Sequence, residues 1–204
     1  MTELAVLQAV RLKGRVAPAD LAKTLGEDPE AITPTVERLT ASGSLVAGAT
    51  LKLSPDGRTR LEHLLAKERK DIDPAAMAAA YHDFRSVNAE FKALVTDWQL
   101  KGGPGGEPNT HDDAEYDAAV LARLDDVHAR VVPIIDAAAR QLPRLQSYAS
   151  KLLAALGKVK DGETAWLTMP LIDSYHTVWF ELHEELIGAV GLTREEAARS
   201  GDAQ

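Results

Sequence analysis

The chain has 204 residues, 45% of them hydrophobic and 26% charged, with a formal net charge of −8 and no cysteine. That length fits one domain or two small ones, with apolar material enough for a core. A spanning helix needs about 20 mostly apolar residues, whereas the longest run without Lys, Arg, Asp or Glu, Leu39 to Leu51, is rich in Gly, Ser and Thr; no membrane segment is expected.

Met1-Thr2-Glu3 lacks the basic n-region of a signal peptide. A cysteine-free chain has no disulfide frame, thiol nucleophile or thiolate metal site, and the cytoplasm is the expected compartment. Charge and aromaticity are distributed unevenly. Residues 1–70 carry 11 Lys/Arg against 9 Asp/Glu, residues 71–204 carry 12 against 22, and all 10 aromatic residues lie between Tyr81 and Phe180. Two compositional regimes imply two domains, 1–72 and 73–204, of a mainly α protein.

Leu4, Leu7, Val10 and Leu12 are spaced for a helix that Gly14 stops. Pro18 suits the first turn of a second helix, which Gly26 closes. Asp28-Pro29 opens a third with Ile32, Val36 and Leu39 on one face, ending at Ser42-Gly43. Pro34 costs that helix a backbone bond unless it restarts there with Thr33 as cap. The period then drops toward two in Ser44-Leu45-Val46 and Thr50-Leu51-Lys52-Leu53, with Ala47-Gly48-Ala49 as the turn of a small hairpin. Ser54-Pro55-Asp56-Gly57-Arg58 starts a last helix reaching about Lys70.

Three short helices, a hairpin and a helix make a winged helix-turn-helix. The strings Asp20-Leu21-Ala22-Lys23-Thr24-Leu25-Gly26, Val36 through Val46 and Leu51-Lys52-Leu53-Ser54-Pro55-Asp56-Gly57-Arg58 resemble the DNA-binding domain of MarR-like bacterial regulators, over about a third of the chain. The resemblance implies that the third helix enters the major groove of duplex DNA, with Lys13, Arg15, Thr33, Arg38, Lys52, Arg58 and Arg60 as the candidate contacts. The sequence departs from that pattern in one respect. The outward positions of the third helix, Pro29, Glu30, Thr33, Pro34 and Glu37, include no base and two acids, and phosphate neutralisation supplies much of DNA affinity. A winged domain that docks on a partner protein is the alternative.

Asp73-Pro74 opens the second domain. Met77, Tyr81, Phe84, Asn88, Phe91, Val95 and Trp98 recur at alternating steps of four and three, a heptad stripe along one helix. It ends at Lys101, where Gly102 through Pro108 form a flexible connection without the Lys-Ser/Thr of a phosphate loop. A second helix, capped within Asn109–Asp113, carries Leu121, Leu124, His128, Val131, Ile135 and Ala138, with a kink expected at Pro133. Leu145, Tyr148, Leu152 and Leu156 line a third, closed by Gly157 or Gly162. A fourth runs from about Pro170 to Val190 with Ile172, His176, Trp179, His183, Leu186 and Val190 in register. Thr193-Arg194-Glu195-Glu196 is a capping box for a short terminal turn, and residues 201–204 are expected to fray. The whole reads as an antiparallel helical bundle.

Asn88, His128, His176 and His183 sit at seam positions, where polar groups need hydrogen bonds. With Tyr81, Phe84, Trp98, Tyr175 and Trp179 around them, they read as an aromatic-walled pocket for a small hydrophobic or aromatic ligand, or as a structural polar network. No metal site is expected. His176 and His183 stand about 10 Å apart along a helix, and no Glu-x-x-His or His-Glu-x-x-His pattern occurs. No cofactor fingerprint or catalytic motif is present, so no enzyme is expected.

Asp173 through Glu184 resembles helical tails that accompany phosphoenolpyruvate-utilising, dikinase-like enzymes. The resulting expectation is a homodimeric transcription regulator that binds DNA and senses a ligand by population shift. The alternative is an accessory protein that docks on a partner, such as a phosphoenolpyruvate-utilising enzyme.

Overall fold

In the computed structural model, which describes residues 2–199, helix α1 (Glu3–Lys13) begins where the Thr2 hydroxyl accepts from the Ala5 N–H at 3.3 Å. Gly14, at φ +69°, ends it. α2 (Pro18–Leu25) carries proline in its first turn, and the left-handed Gly26 returns its N–H to the last carbonyls. α3 (Pro29–Ala41) runs unbroken through Pro34. Thr33 is therefore an interior residue and not a new cap; its hydroxyl donates to the Pro29 carbonyl at 2.8 Å. Ile32 and Leu39, 2% and 1% exposed, bury the helix on both sides of the proline, and this packing offsets the lost backbone bond.

Strands β1 (Leu45–Val46) and β2 (Lys52–Leu53) pair antiparallel with Leu45 opposite Leu53. Val16, between α1 and α2, adds a bridge to Leu51 through N–H···O bonds of 3.2 and 2.8 Å in the two directions. α4 (Pro55–Glu68) starts at Ser54, whose hydroxyl accepts from the Gly57 N–H at 2.9 Å and reaches the Ser44 carbonyl at 3.1 Å. The helix ends two residues short of the expected Lys70 and tightens into a 3-10 turn, Arg69–Asp71. Val6, Leu7, Val10, Leu21, Ile32, Leu39, Leu45, Leu51 and Leu61 form one buried core.

Contacts divide the chain into two compact units, Met1–Ile72 and Asp73–Gln204. The second opens with α5 (Pro74–Gln99), capped by the Asp73 carboxylate on the Ala75 and Ala76 N–H groups. All seven residues of its heptad stripe are buried. The glycine-rich segment after it is not a bare connection. β3 (Leu100–Lys101) pairs antiparallel with β4 (Glu107–Pro108), and a Cβ at Gly106 would lie 2.0 Å from the Lys101 carbonyl oxygen. Only glycine lets the two strands approach this closely.

α6 (Ala114–Ala139), capped by Asp113, runs antiparallel to α5 and contains Pro133 without ending there. Tyr116 donates to the Asp97 carbonyl at 2.9 Å, Arg123 pairs with Asp97 at 2.6 Å, and Arg130 pairs with Glu90. The 3-10 turn Pro143–Gln146 leads into α7 (Ser147–Lys160), which contains Gly157; Gly162, at φ +89°, follows its end. After α8 (Ala165–Thr168), α9 spans Tyr175–Ala189. Its start lies at Ser174, which caps the Thr177 N–H at 3.3 Å, and not at Pro170, because Leu171 takes φ +70° just before it. The capping box before α10 (Arg194–Arg199) is reciprocal: Thr193 N–H to Glu196 at 2.7 Å, Glu196 N–H to Thr193 at 3.2 Å. Residues 201–204 lie outside the described residues.

α9 packs against α5, α7 and α8. It buries Tyr175, Val178, Trp179, Leu182, Leu186 and Ile187 and also Glu181 and Glu185, so it is enclosed on nearly every side. The architecture is mainly α, with two small two-stranded antiparallel sheets among the described residues. No helix among the described residues is long and apolar enough to cross a membrane.

Candidate functional site

The heptad stripe of α5 faces the aromatic side of α9, and the two interlock through ring contacts. Phe84 meets Trp179 and His183 at centroid distances of 5.1 and 5.2 Å, and Phe91 meets Trp179 at 4.4 Å and Tyr175 at 5.4 Å. Tyr81 lies 6.2 Å from the His183 ring. Much of the expected pocket wall is therefore solid core: Phe84 and Tyr175 are fully enclosed, and Tyr81 is 6% exposed. His128, on α6, meets Tyr175 from the other side, its Nδ1 3.3 Å from the phenol oxygen. Trp98 stands apart from this cluster, its ring 4.3 Å from that of His111.

The open part is a groove of about 230 Å³ between α5, α9 and α10, lined by Asn88, Phe91, Lys92, Val95, Thr96, His176, Trp179, Phe180, His183 and Arg194. Four of the nine expected ligand residues line it: Asn88, His176, Trp179 and His183. Tyr81, Phe84, Trp98, His128 and Tyr175 do not. Lys92, Thr96, Phe180 and Arg194 belong to the groove although the apolar pattern does not single them out. A signal for two of them exists in the sequence, since Asn88, Lys92 and Thr96 follow at steps of four along one edge of α5.

Asn88 is 5% exposed, and its Oδ1 accepts from the Trp179 indole N–H at 2.9 Å. The pair fixes the facing positions of α5 and α9 at the groove floor. Asn88→Leu strands that donor in a site where Trp179 is 3% exposed. An unmade buried hydrogen bond costs about 1–3 kcal/mol, and urea unfolding followed by tryptophan fluorescence is expected to show a loss of that size. A loss below about 0.5 kcal/mol, the ordinary surface range, would mean the indole finds another acceptor. Desolvation lowers the pKa of His176, and it does the same for His128. Both imidazoles are thus biased toward the neutral form near neutrality.

A second polar cluster fills the opposite side of α9. Glu185, 4% exposed, pairs with Arg144 at 2.7 Å and accepts from the Tyr148 hydroxyl at 3.4 Å; Lys151 lies 4.0 Å from Glu181 and over the Tyr148 ring. Burial and the neighbouring carboxylates push the Tyr148 hydroxyl well above its usual pKa. Glu181 and Glu185 are thus buried, although they belong to the half of the chain with a large excess of acid. Among the described residues, no three His, Asp or Glu side chains gather as a metal-ligand set.

In the first unit, the candidate DNA contacts divide into two groups. Arg60 makes a bidentate pair with Glu3, through bonds of 2.8 and 3.0 Å, and Arg38 lies 3.9 Å from the same carboxylate. The Arg60 guanidinium holds the Glu3 carboxyl below its usual pKa. Arg15, Lys52 and Arg58 are exposed and form no ion pair among the described residues; Lys13 is half-buried and Thr33 exposed. On α3, Glu30 and Glu37 are exposed as well. No family model, curated protein or solved structure matches the chain.

Proposed function

We propose that the chain is a cytoplasmic, DNA-binding transcription regulator. In this reading unit Met1–Ile72 is a winged helix-turn-helix that holds duplex DNA, and the helical unit senses a small hydrophobic or aromatic ligand in its groove. The observation that carries the reading is the element order of the first unit. Helix, single-residue strand, two helices, hairpin and helix follow one another, with Val16 joining the hairpin at Leu51. This order supports a domain whose α3 is the recognition helix and whose hairpin is the wing. Arg15, Lys52 and Arg58 supply cations not already committed to a carboxylate. Two-fold operators call for a homodimer, and the helical unit is the part with apolar surface to provide one.

Retention of duplex DNA as a function of salt tests the reading. Affinity is expected to fall as salt rises, and Arg58→Glu is expected to weaken it by about ten-fold at low salt, since a phosphate contact becomes a repulsion. Absence of retention at low ionic strength overturns it. One observation favours a second reading, an adaptor whose winged domain docks on a partner protein such as a phosphoenolpyruvate-utilising enzyme. Arg38 and Arg60 are tied to Glu3, and α3 presents Glu30 and Glu37 to solvent. That surface suits a basic protein patch better than a phosphate backbone.

A further inference from the structure

The charges around the groove run against those of the polypeptide that builds it. Residues 71–204 contain 22 Asp/Glu and 12 Lys/Arg, yet among the described residues the groove is lined by two cations, Lys92 and Arg194, beside the neutral-leaning His176, and by no carboxylate. Arg194 pairs with Glu184 at 2.8 Å, which offsets part of its charge and leaves Lys92 the uncompensated one, and it lies over the Phe180 ring, 4.6 Å from its centroid. Lys92, half-buried on α5, makes no ion pair among the described residues. Phe91, Val95, Trp179 and Phe180 supply an apolar surface between these cations. The indole N–H of Trp179 already donates to Asn88, so the groove offers the ring surface and not that donor. Drug-sized sites occupy about 300–1,000 Å³; at about 230 Å³ this one suits a smaller body.

We infer that the groove selects a small organic anion, with a one- or two-ring aromatic body seated against Trp179 and Phe91 and its anionic head between Lys92 and Arg194. This rests on the reading of the groove as a ligand site and adds the charge of the ligand to it. Half-exposed cations alone attract an anion weakly. Seated beside apolar walls, where water is partly excluded, the same charges form stronger charge-assisted hydrogen bonds.

Calorimetric titration of the full chain with 2-naphthoate and with 2-naphthamide tests it, because the two share a body and differ in charge. Naphthoate is expected to bind about ten-fold more tightly, the factor that one charge-assisted bond supplies. Lys92→Gln is expected to bring the two within about two-fold, while Lys92→Arg retains the preference. Thermal unfolding of each variant checks that the fold is intact. Equal binding of the two probes, or indifference to Lys92→Gln, overturns the anion inference and leaves the groove as a ligand site. Binding of neither probe overturns both.

Discussion

Gly57→Ala is expected to destabilise the first unit by about 3 kcal/mol, the upper end of what an overpacked position costs. A Cβ built on Gly57 would lie 1.9 Å from the Ser44 carbonyl oxygen and 2.9 Å from its carbonyl carbon. Both are backbone atoms at the start of the hairpin, and neither can move without breaking other contacts. The Ser44 carbonyl also accepts from the Ser54 N–H at 3.1 Å, so withdrawing it disturbs the junction of β1, β2 and α4 together. Gly48→Ala is the control. Its Cβ would meet nothing nearer than the Thr50 carbonyl at 3.9 Å, and a change within about 0.5 kcal/mol is expected. Tryptophan fluorescence cannot report either variant, because the first eighty residues hold no aromatic side chain. Amide exchange at Val10, Leu21 and Ile32, all buried, reads the unit directly. Equal protection in the two variants would show that the hairpin yields at little cost.

Arg144→Ala is expected to cost about 3 kcal/mol in the second unit, because removing one partner of a buried ion pair leaves the other charge without compensation. Glu185 is 4% exposed and Arg144 keeps 21% of its side chain in contact with solvent, so the arginine is the half that can be removed without opening a cavity. The double variant Arg144→Met/Glu185→Leu is expected to recover most of the loss, since apolar side chains of similar volume often replace such a pair without penalty. It removes the acceptor of the Tyr148 hydroxyl. Urea unfolding followed by tryptophan fluorescence separates the cases. A double variant no more stable than Arg144→Ala would mean that the pair also sets how α7 and α9 meet.

The contrast between these two sites shows which features were legible in the sequence. Helix ends were, because their chemistry is local: Gly14, Gly26, Asp73-Pro74 and the Thr193–Glu196 box act on residues at most four positions away. The Val16–Leu51 bridge and the crowding at Gly57 were not, since each depends on backbone brought in from a distant segment. The start of α9 lies later than Pro170 suggests for the same reason, because only the folded chain puts Leu171 at φ +70° and leaves Ser174 as the cap.

For the groove, the heptad pattern identified Asn88, His176, Trp179 and His183. A shared face does not mean a shared height, however. Trp98 lies ten residues beyond Asn88, about 15 Å along α5, and His128 approaches Tyr175 from α6. The burial of Glu181 and Glu185 is not legible from a stripe, which implies one apolar face, whereas α9 is enclosed on almost every side.

That enclosure has a consequence for how the chain folds. Asn88 and Trp179 are 91 positions apart, whereas α5 and α6 are joined by a short hairpin. Local pairing comes early, and closing a long loop is paid for in chain entropy before any contact rewards it. Until α9 docks, Phe84 and Phe91 lack the Tyr175 and Trp179 rings that pack on them, and the nascent bundle presents an adhesive flank to other unfinished copies. The interval before the central helix arrives is therefore expected to be the one in which the folding chain is most prone to self-association.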